Sequence, residues 1–359
     1  MQKSKTQKKK AFVGMSGGVD SSVSAALLKE QGYDVTGVFI KVWQPEGFVC
    51  TWRADRLDAM RVAAKLDIPF VTLNLEDVYK KEVVDYMISE YKAGRTPNPD
   101  VMCNKHVKFG GFFDWAMAQG ADFVATGHYA RREDRNGEAY LLTGRDANKD
   151  QTYFLWTLTQ TQLAKTLFPV GDIEKPQVRK LAEKYGLATA EKKDSQGLCF
   201  IGKIDMKEFL RSYIEEKRGD VLNEAGEVIG MHDGAFYLTI GQRHGFTITK
   251  KTPDDAPYYI VAKDHTKNTV TVSQHPASVS GENKTVAQLT AVSWTRQEPD
   301  FSRIYHARIR YRQPLQEVRL VKTAHGIALH FTESQSVIAE GQSAVLYDNE
   351  ECIGGGILA

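Results

Sequence analysis

An eight-residue motif near the amino terminus has the composition of a phosphate-binding loop. The short apolar run AFVG ends at Gly14 and is followed by MSGGVDSS, residues 15–22, and then by a helical pattern. A strand, a glycine pair and a helix N-terminus direct free backbone N–H groups and the positive end of the helix dipole toward an anion. The glycines let the main chain approach phosphate oxygens closely, and Ser16 and Ser21 add hydroxyl donors. The motif therefore predicts an anion site rather than a simple strand-to-helix turn capped by serine.

This loop differs from the commoner nucleotide-binding motifs. The pattern GxGxxG is missing, which argues against a dinucleotide site, and no Gly-Lys-Ser/Thr follows the glycines, which argues against a Walker A loop. Asp20 lies within the motif, where its carboxylate could hold a magnesium ion against bound phosphates. The residues alone thus predict a phosphate site with Mg²⁺ as the candidate metal.

The chain contains four scattered cysteines and no CxxC pair: Cys50, Cys103, Cys199 and Cys352. This usage predicts neither a disulfide-stapled secreted fold nor a structural zinc site. Asp100 precedes Cys103 by three residues, so on a helix the two side chains would share a face one turn apart. A carboxylate there could relay protons to a thiol or a substrate, although capping a helix after Pro99 is an alternative role. Cys50 and Cys352 lack such neighbours and are predicted to be ordinary thiols.

The elements that must position these residues are visible in the hydrophobic pattern. The chain has 359 residues, of which 42% are hydrophobic, enough for two or three domains. Residues 11–127 alternate apolar runs with helical patterns, which predicts strands at 11–14, 35–43, 70–75 and 122–126 and helices at 22–31, 54–66, 77–92 and 107–119. This order predicts an α/β fold with a doubly wound parallel sheet, whose ligands bind at the carboxyl ends of the strands.

From about Gly219 onward the pattern changes to short strands separated by turn signals. Closely spaced strands of this kind predict small β-rich domains or barrels. We therefore expect a nucleotide-binding catalytic domain at residues 1–216, a central β-rich domain at 217–281 and a barrel-like domain at 282–359.

Overall charge does not identify a partner. The 47 basic and 45 acidic residues leave a net charge of +2, and five of the lysines lie in the first ten residues, which we interpret as a frayed basic tail. No apolar run has the length of a membrane span or a signal peptide, so we expect no membrane partner and a cytoplasmic protein.

One segment near the carboxyl terminus gives local evidence for a nucleic acid. If residues 303–312 form one strand, alternation places four cationic side chains on a single face, namely His306, Arg308, Arg310 and Arg312. Same-face residues repeat about every 6.7 Å, so such a strand could follow a phosphate backbone. A solvated strand face is the alternative interpretation.

Several motifs together resemble one enzyme family. SGGVDS resembles the PP-loop of enzymes that split ATP between its α- and β-phosphates and leave an adenylate on the substrate. Further motifs follow in order: TPNPDVMCNK at 96–105, TGHY at 126–129, KDQTYF at 149–154, DSQGLCFIG at 194–202, TIGQR at 239–243, GQSAV at 341–345 and GGG at 354–356. The chain is similar to the bacterial tRNA-specific 2-thiouridylases over nearly its whole length.

This resemblance implies a reaction, its cofactors and its partners. ATP and Mg²⁺ would adenylate the C2 oxygen of a wobble uridine in glutamate, lysine and glutamine tRNAs, and a sulfur atom would replace it. A persulfide donor, such as a cysteine desulfurase or a sulfur-relay protein, is implied as a further partner. By resemblance Cys199 carries the persulfide, Cys103 completes the transfer, and the two cysteines finish as a disulfide. Gly197 and Gly202 could give the Cys199 segment the mobility that this exchange requires.

The resemblance also assigns binding residues. The positions matched to ATP contacts are Gly14, Met15, Ser16, Gly17, Gly18, Val19, Asp20, Ser21, Ile40 and Gly127. Those matched to the target base or to tRNA are Asn98, Pro99, Asp100, His128, Lys149, Asp150, Gln151, Arg310, Tyr311 and Gln342. Ile40 departs mildly from the family, which often has methionine there, but an apolar side chain preserves the packing.

Three alternatives remain open from the sequence alone. Another adenylating ligase or amidotransferase could use the same loop on a small acid, without paired cysteines or a basic β domain. An RNA-binding protein could use the loop only as a conformational switch, without needing Asp100, Cys103 and Cys199 together. The same thiolation could also employ an iron–sulfur cluster held by the two cysteines and a carboxylate, which are poor ligands by the usual four-cysteine standard.

Overall fold

Three sheets organise the chain in the computed structural model, which describes residues 8–47, 52–193, 206–249, 256–275, 284–324, 326–335 and 338–359. The first sheet is parallel, the second is mainly antiparallel, and the third contains a closed barrel. The predicted α/β class, with two smaller β-rich units after the parallel sheet, is confirmed.

The parallel sheet has the strand order β3-β2-β1-β4-β7. Its members are β1 (Lys10–Gly14), β2 (Asp34–Lys41), β3 (Phe70–Asn74), β4 (Phe123–Ala125) and β7 (Thr166–Leu167). The chain leaves β1 toward β2 and β3 and then returns to the other side of β1, where Val13 lies opposite Ala125. The carboxyl ends of β1 and β4 therefore flank the point where the strand order reverses, which is where such sheets bind ligands.

Helices cover both faces of this sheet. They are α1 (Val19–Glu30), α2 (Trp52–Lys65), α3 (Glu76–Tyr79), α4 (Tyr86–Lys92), α5 (Pro99–Met102), α6 (Phe113–Ala118), α7 (Gln160–Leu163), α8 (Lys175–Lys184) and α9 (Met206–Arg211). Wider π-helical turns at Lys80–Asp85 and Cys103–Phe112 make α3–α4 and α5–α6 two continuous helices. Within the described ranges, no helix combines the length and the apolarity needed to cross a bilayer.

Alternation along β2 explains why both faces need cover. Val38 and Ile40 belong to one buried cluster, whereas Val35 and Phe39 belong to the cluster on the opposite face. A parallel strand buried on both sides reads as a continuous apolar run, which is why the sequence pattern identified it.

The second sheet has the order β10-β9-β8-β12-β11. It is formed by β8 (Gly219–Leu222), β9 (Val228–His232), β10 (Phe246–Ile248), β11 (Tyr259–Asp264) and β12 (Thr269–Ser273). Its small core contains Val221, Ile260 and Val270, each fully buried.

The third sheet closes into a six-stranded barrel. Its strands are β13 (Lys284–Trp294), β14 (Ile304–Arg308), β15 (Gln316–Thr323), β16 (Gly326–Gln335), β17 (Ser343–Asp348) and β18 (Glu351–Leu358), and β18 pairs back onto β13. The single strand predicted at 303–312 is wrong, because β14 ends at Arg308. Beyond it Gln313 donates to the Arg310 carbonyl in a turn, and Arg312 adopts a left-handed φ of 64°.

A hairpin from the first domain joins this barrel. β5 (Ala130–Arg135) and β6 (Glu138–Thr143) pair with each other, and Leu142 of β6 lies opposite Glu351 of β18. Arg296 of the barrel ion-pairs with Glu138 and Glu351 and lies 3.8 Å from the centre of the Tyr140 ring. The hairpin therefore attaches the barrel to the nucleotide-binding domain.

Candidate functional site

The phosphate loop, residues 14–22, is held in shape by its own groups. The Ser16 N–H donates to the Ser21 hydroxyl at 3.2 Å, and the Gly18 N–H donates to the Ser16 hydroxyl at 3.3 Å. The Ser22 hydroxyl donates to the Gly18 carbonyl at 2.7 Å. Helix α1 begins at Val19 without a side-chain cap, so its first N–H groups face the loop. The arrangement is an anion site organised in advance of any ligand.

Gly17 is the position in this loop that admits no side chain. Its φ is +78°, and a β-carbon there would overlap the carbonyl oxygen of Asp55 at the start of α2. The loop can therefore lie against α2 only with glycine at this point.

The carboxylate of Asp20 is engaged by the protein. Lys175, at the start of α8, donates to both carboxylate oxygens at 2.7 and 2.8 Å, and the Tyr129 hydroxyl donates to one of them at 2.7 Å. Among the described residues, no group of three or more His, Cys, Asp or Glu side chains could hold a metal. In this structure Asp20 joins α1 to α8, and a contact of its carboxylate with Mg²⁺ stays a prediction.

The TGHY turn after β4 lies directly against the phosphate loop. A β-carbon on Gly127 would come within 2.7 Å of the Ser21 nitrogen. The Thr126 side chain contacts His128 Nδ1 at 2.8 Å, and Lys108 contacts His128 Nε2 at 3.3 Å. His128 is 7% exposed, and its pKa lies well below the ordinary value, first because it is buried and then because Lys108 is positive.

The helix carrying Cys103 begins earlier than predicted. Asn98 caps it by accepting from the Val101 N–H at 3.3 Å, and Pro99 occupies the first turn. Cys103 is fully buried and opens the π-helical stretch, a distortion that is frequent at functional sites. Asn104 donates to the Asp100 carbonyl at 3.0 Å, while its buried side-chain oxygen has no hydrogen-bond partner in the described part of the chain.

The segment before this helix, residues 94–98, is called the target loop below. The partners of this loop come from the central and C-terminal parts of the chain. The Thr96 N–H donates to the Glu340 carbonyl at 2.8 Å, and the Gln342 amide donates to the carbonyls of Thr96 and Pro97 at 2.9 and 3.2 Å. The Thr96 and Thr239 hydroxyls are 3.2 Å apart.

Comparison with known proteins gives three consecutive matches. Residues 9–203 match a model described as a tRNA methyl transferase HUP domain, residues 207–274 a tRNA methyl transferase PRC-barrel domain, and residues 284–358 an aminomethyltransferase β-barrel domain. The tRNA-specific 2-thiouridylase MnmA of Streptococcus thermophilus is 49% identical over 98% of this chain and 95% of its own. The MnmA of Pseudomonas fluorescens is 48% identical over 99% of this chain and 96% of its own. The chain belongs to the tRNA-specific 2-thiouridylase family. The resemblance noted in the sequence is confirmed, whereas domain boundaries at 217 and 282 remain predictions.

Two residues that family resemblance assigns to tRNA contact, Asp150 and Gln151, make hydrogen bonds within the protein. Asp150 is 3% exposed and accepts from the Gly144 N–H at 3.1 Å, the Thr152 hydroxyl at 2.9 Å and Arg308 at 3.2 Å. The Gln151 side chain accepts from the Tyr129 N–H at 2.9 Å. Gln151 thus holds the TGHY turn, Asp150 joins Gly144 and Thr152 to Arg308 of β14, and Lys149 beside them is half-buried.

Only part of the cationic face predicted on the strand at 303–312 is exposed to solvent. Arg308 points inward to Asp150, and Arg310 donates to the Ile240 carbonyl at 3.1 Å, with burial lowering its pKa. His306 and Arg312 are exposed. The prediction of a continuous ribbon of four solvent-exposed cations is therefore wrong, because Arg308 and Arg310 contact other groups of the protein.

Aromatic and apolar positions of the family pattern also lie inside the fold. Tyr311 packs on Phe154 with ring centres 4.5 Å apart, and Ile40 is 4% exposed beside the end of β2. Met15 and Val19, both assigned to ATP, are buried as well, and the Met15 N–H donates to the Val38 carbonyl at 2.8 Å. Contact of these residues with ATP or tRNA stays a prediction.

Cys199, Gly197, Gly202 and Cys50 lie outside the described residues. Before them in the described part of the chain, Lys192 ion-pairs with Asp55 and Asp58 of α2 at 2.7 Å each. Cys352 is fully buried, and burial together with the charge of Asp150 raises its pKa. This environment keeps the Cys352 thiol protonated, as expected of an ordinary thiol.

The sequence interpretation did not identify two lysines that contact the target loop and the phosphate loop. Lys263 donates to the carbonyls of Gly94 and Leu238 at 3.1 and 2.7 Å, and burial lowers its pKa to about 8. Lys175 neutralises Asp20 from a helix 155 residues away. Neither lysine belongs to a motif, so only the fold reveals them.

Proposed function

We propose that this protein replaces the C2 oxygen of a tRNA uridine with sulfur at the expense of ATP. Membership of the 2-thiouridylase family supports the proposal. The observation that carries it is the meeting of two elements at the carboxyl ends of β1 and β4. The preformed phosphate loop lies there, and the continuous helix from Pro99 to Ala118, which contains Cys103, packs against it through Phe112, whose ring is 3.5 Å from the β-carbon position of Gly14.

Adenylation makes the exchange chemically feasible. The C2 carbonyl of uracil is urea-like and a poor electrophile, and its oxygen is a poor leaving group. The C2 oxygen attacks the α-phosphorus of ATP, pyrophosphate leaves with the bonding electrons, and the N3 proton passes to a base, for which Asp100 is the candidate. The resulting AMP group makes C2 electrophilic. ATP enters as its magnesium complex, with the phosphates holding the metal.

Sulfur transfer then uses two cysteines. The outer sulfur of a persulfide on Cys199 bonds to C2, and the Cys103 thiolate attacks the inner sulfur. The persulfide S–S bond breaks toward the transferred sulfur, AMP is expelled, and a Cys103–Cys199 disulfide forms. An external thiol must reduce this disulfide before the next turnover.

The finer assignments follow from family resemblance. We propose the wobble uridines of glutamate, lysine and glutamine tRNAs as substrates and a cysteine desulfurase or sulfur-relay protein as donor. Such a reaction belongs in the cytoplasm, where tRNA is modified.

Cysteine variants test the sulfur route. Cys199→Ser should fail to gain the mass of a persulfide, whereas Cys103→Ser should gain it but thiolate no tRNA. Cys50→Ser controls for generic loss of a thiol and should retain both properties. Protein mass after persulfide treatment, measured beside the thiouridine content of the tRNA, separates these results. Full thiolation by Cys103→Ser, or normal loading of Cys199→Ser, would refute the assigned roles.

A further inference from the structure

The end of β11 in the central domain lies against the target loop, residues 94–98. The Lys263 ammonium donates to the Gly94 carbonyl at 3.1 Å and to the Leu238 carbonyl at 2.7 Å. Leu238 is the residue that precedes the TIGQR motif, residues 239–243. One side chain of the central domain therefore joins the first residue of the target loop to the start of a second motif.

Gly94 is the residue that allows β11 to approach the target loop. It follows α4 with a φ of +80°, the left-handed conformation that often ends a helix. A β-carbon at this position would overlap the ring of His265, two residues after Lys263. The His265 ring in turn stacks on Phe236, with ring centres 4.8 Å apart. The contact between β11 and the target loop therefore requires glycine at this position.

The TIGQR segment is itself held by β11 and contacts the target loop a second time. The Gly241 N–H donates to the Ile260 carbonyl of β11 at 2.7 Å. The Thr239 hydroxyl lies 3.2 Å from the Thr96 hydroxyl in the target loop. Lys263 and this pair of threonines therefore fix the target loop at two positions that are two residues apart.

Burial gives Lys263 a pKa that lies close to neutral pH. Desolvation lowers the pKa to about 8, although the negative charge of exposed Glu340 raises it in part. The side chain is therefore mostly an ammonium at pH 7 and mostly a neutral amine at pH 9. A neutral amine still donates to the two carbonyls, but these hydrogen bonds lack the charge that roughly doubles their strength.

The other charged groups at this junction have partners of their own or are neutral. Arg95 of the target loop ion-pairs with Glu90, and Asp264 ion-pairs with Lys267 at 3.6 Å. The pKa of His265 is lowered, first by burial and then by the neighbouring ammonium, so this ring stays neutral near pH 7. Lys263 is therefore the group whose charge at this junction changes between pH 7 and pH 9.

We propose that Lys263 is a positioning residue for tRNA thiolation, through which the central domain holds the target loop. The proposal rests on the function proposed above. Asp100 and Cys103 follow the target loop on the helix that Asn98 caps, so a shift of the loop displaces both side chains. A misplacement of about 1 Å can slow a reaction about 100-fold. Weaker hydrogen bonds from Lys263 should therefore slow thiolation while ATP binding is unchanged.

Steady-state thiolation of unmodified tRNA tests this role. Lys263→Met should lower kcat about tenfold, with the KM for ATP within about twofold of wild type. Lys263→Arg keeps a charged donor and should recover most of the rate at pH 7. Lys267→Met is the matched control, because Lys267 lies in the turn after β11 and is exposed, and its kcat should stay within about twofold of wild type.

The pH dependence separates positioning from general support of the fold. Thiols and the uracil also titrate above pH 8, so the informative quantity is the ratio of kcat for wild type to kcat for Lys263→Arg. This ratio should fall about threefold between pH 7 and pH 9, because only the wild type loses a charged donor. A constant ratio would overturn the proposal, as would normal kcat in a folded Lys263→Met protein.

Gly94→Ala tests the same contact from the target loop. Its β-carbon would displace the His265 ring, so kcat should fall while the KM for ATP is unchanged. Gly120→Ala is the control, because Gly120 has a similar positive φ but a β-carbon there meets no atom within 4 Å. Equal kcat for these two variants would also overturn the proposal. If wild-type protein produced ADP, the proposed function would fail independently of Lys263.

Discussion

The phosphate loop and the target loop are stabilised differently. The phosphate loop closes hydrogen bonds among Ser16, Gly18, Ser21 and Ser22. The target loop instead depends on partners that are 143 to 246 residues away in sequence, including Thr239, Lys263 and Gln342. The shape of the phosphate loop therefore comes largely from local hydrogen bonds, whereas the segment leading to Asp100 and Cys103 is positioned by the central and C-terminal domains.

This difference has a functional consequence. A defect in the central or C-terminal domain should displace the target loop and slow the use of tRNA while ATP still binds. A defect in the phosphate loop should abolish ATP use while tRNA still binds. Three substitutions test whether the two regions separate in this way.

The largest expected effect is on stability, from Arg308→Met. The change leaves the carboxylate of Asp150 buried without its ion-pair partner, and breaking a buried pair costs about 3–5 kcal/mol. Chemical denaturation should report this loss. Arg303→Met is the control, because Arg303 pairs with Asp348 at the surface and its loss should cost less than about 1 kcal/mol. Equal stability of the two variants would show that the ion pair between Arg308 of the barrel and buried Asp150 does not stabilise the fold.

The next effect is expected from Gly17→Ala in the phosphate loop. The added β-carbon meets the Asp55 carbonyl, and overpacking of this kind costs about 1–3 kcal/mol in addition to the unfavourable φ. Calorimetry should find ATP binding weakened by more than about tenfold, the equivalent of 1.4 kcal/mol, with tRNA affinity retained. Gly32→Ala is the control, because Gly32 also has a positive φ but a β-carbon there meets no atom within 4 Å. A difference between the two variants therefore reports the contact with Asp55. Normal ATP binding by Gly17→Ala would contradict the local description of this loop.

The smallest effect is expected from Gln342→Leu, which removes a side chain that contacts the target loop. Two hydrogen bonds to Thr96 and Pro97 disappear, at about 1 kcal/mol each. The kcat for tRNA thiolation should fall about tenfold with the KM for ATP unchanged, because the loss concerns positioning near the base. Gln316→Leu, which removes one exposed contact to Pro314, should leave kcat unchanged. A raised KM for ATP in Gln342→Leu would remove the distinction between the two regions.

The same difference explains how much could be predicted from the sequence. The strands, the helices and the phosphate loop of the first domain follow from contiguous patterns, and the predicted strands there agree with β1 to β4. The start of the Cys103 helix could also have been recognised, since Asn98 and Pro99 are a cap and a first-turn proline.

Contacts between residues that are distant in sequence could not be predicted from local patterns. The β5–β6 hairpin includes the charged run ARREDR, which shows no hydrophobic alternation. This run pairs along its length with β6, and β6 in turn pairs with β18 at Leu142 and binds Arg296 through Glu138. Alternation beyond Arg308 continued in the sequence, but a contact from Arg310 to Ile240 draws the chain into a turn. Family resemblance assigns Asp150 and Gln342 to RNA contact, which stays a prediction, and no local signal in the sequence reveals their distant protein partners.

The central claim is that this protein links ATP cleavage at the α-phosphate to sulfur insertion in tRNA. The most direct measurement is the stoichiometry of one reaction containing the wild-type protein, ATP, magnesium, a persulfide donor and unmodified tRNA. Mass analysis of the nucleosides should find one 2-thiouridine for each AMP and each pyrophosphate released. ADP and phosphate as products, or AMP formed without any thiouridine in the tRNA, would contradict the account.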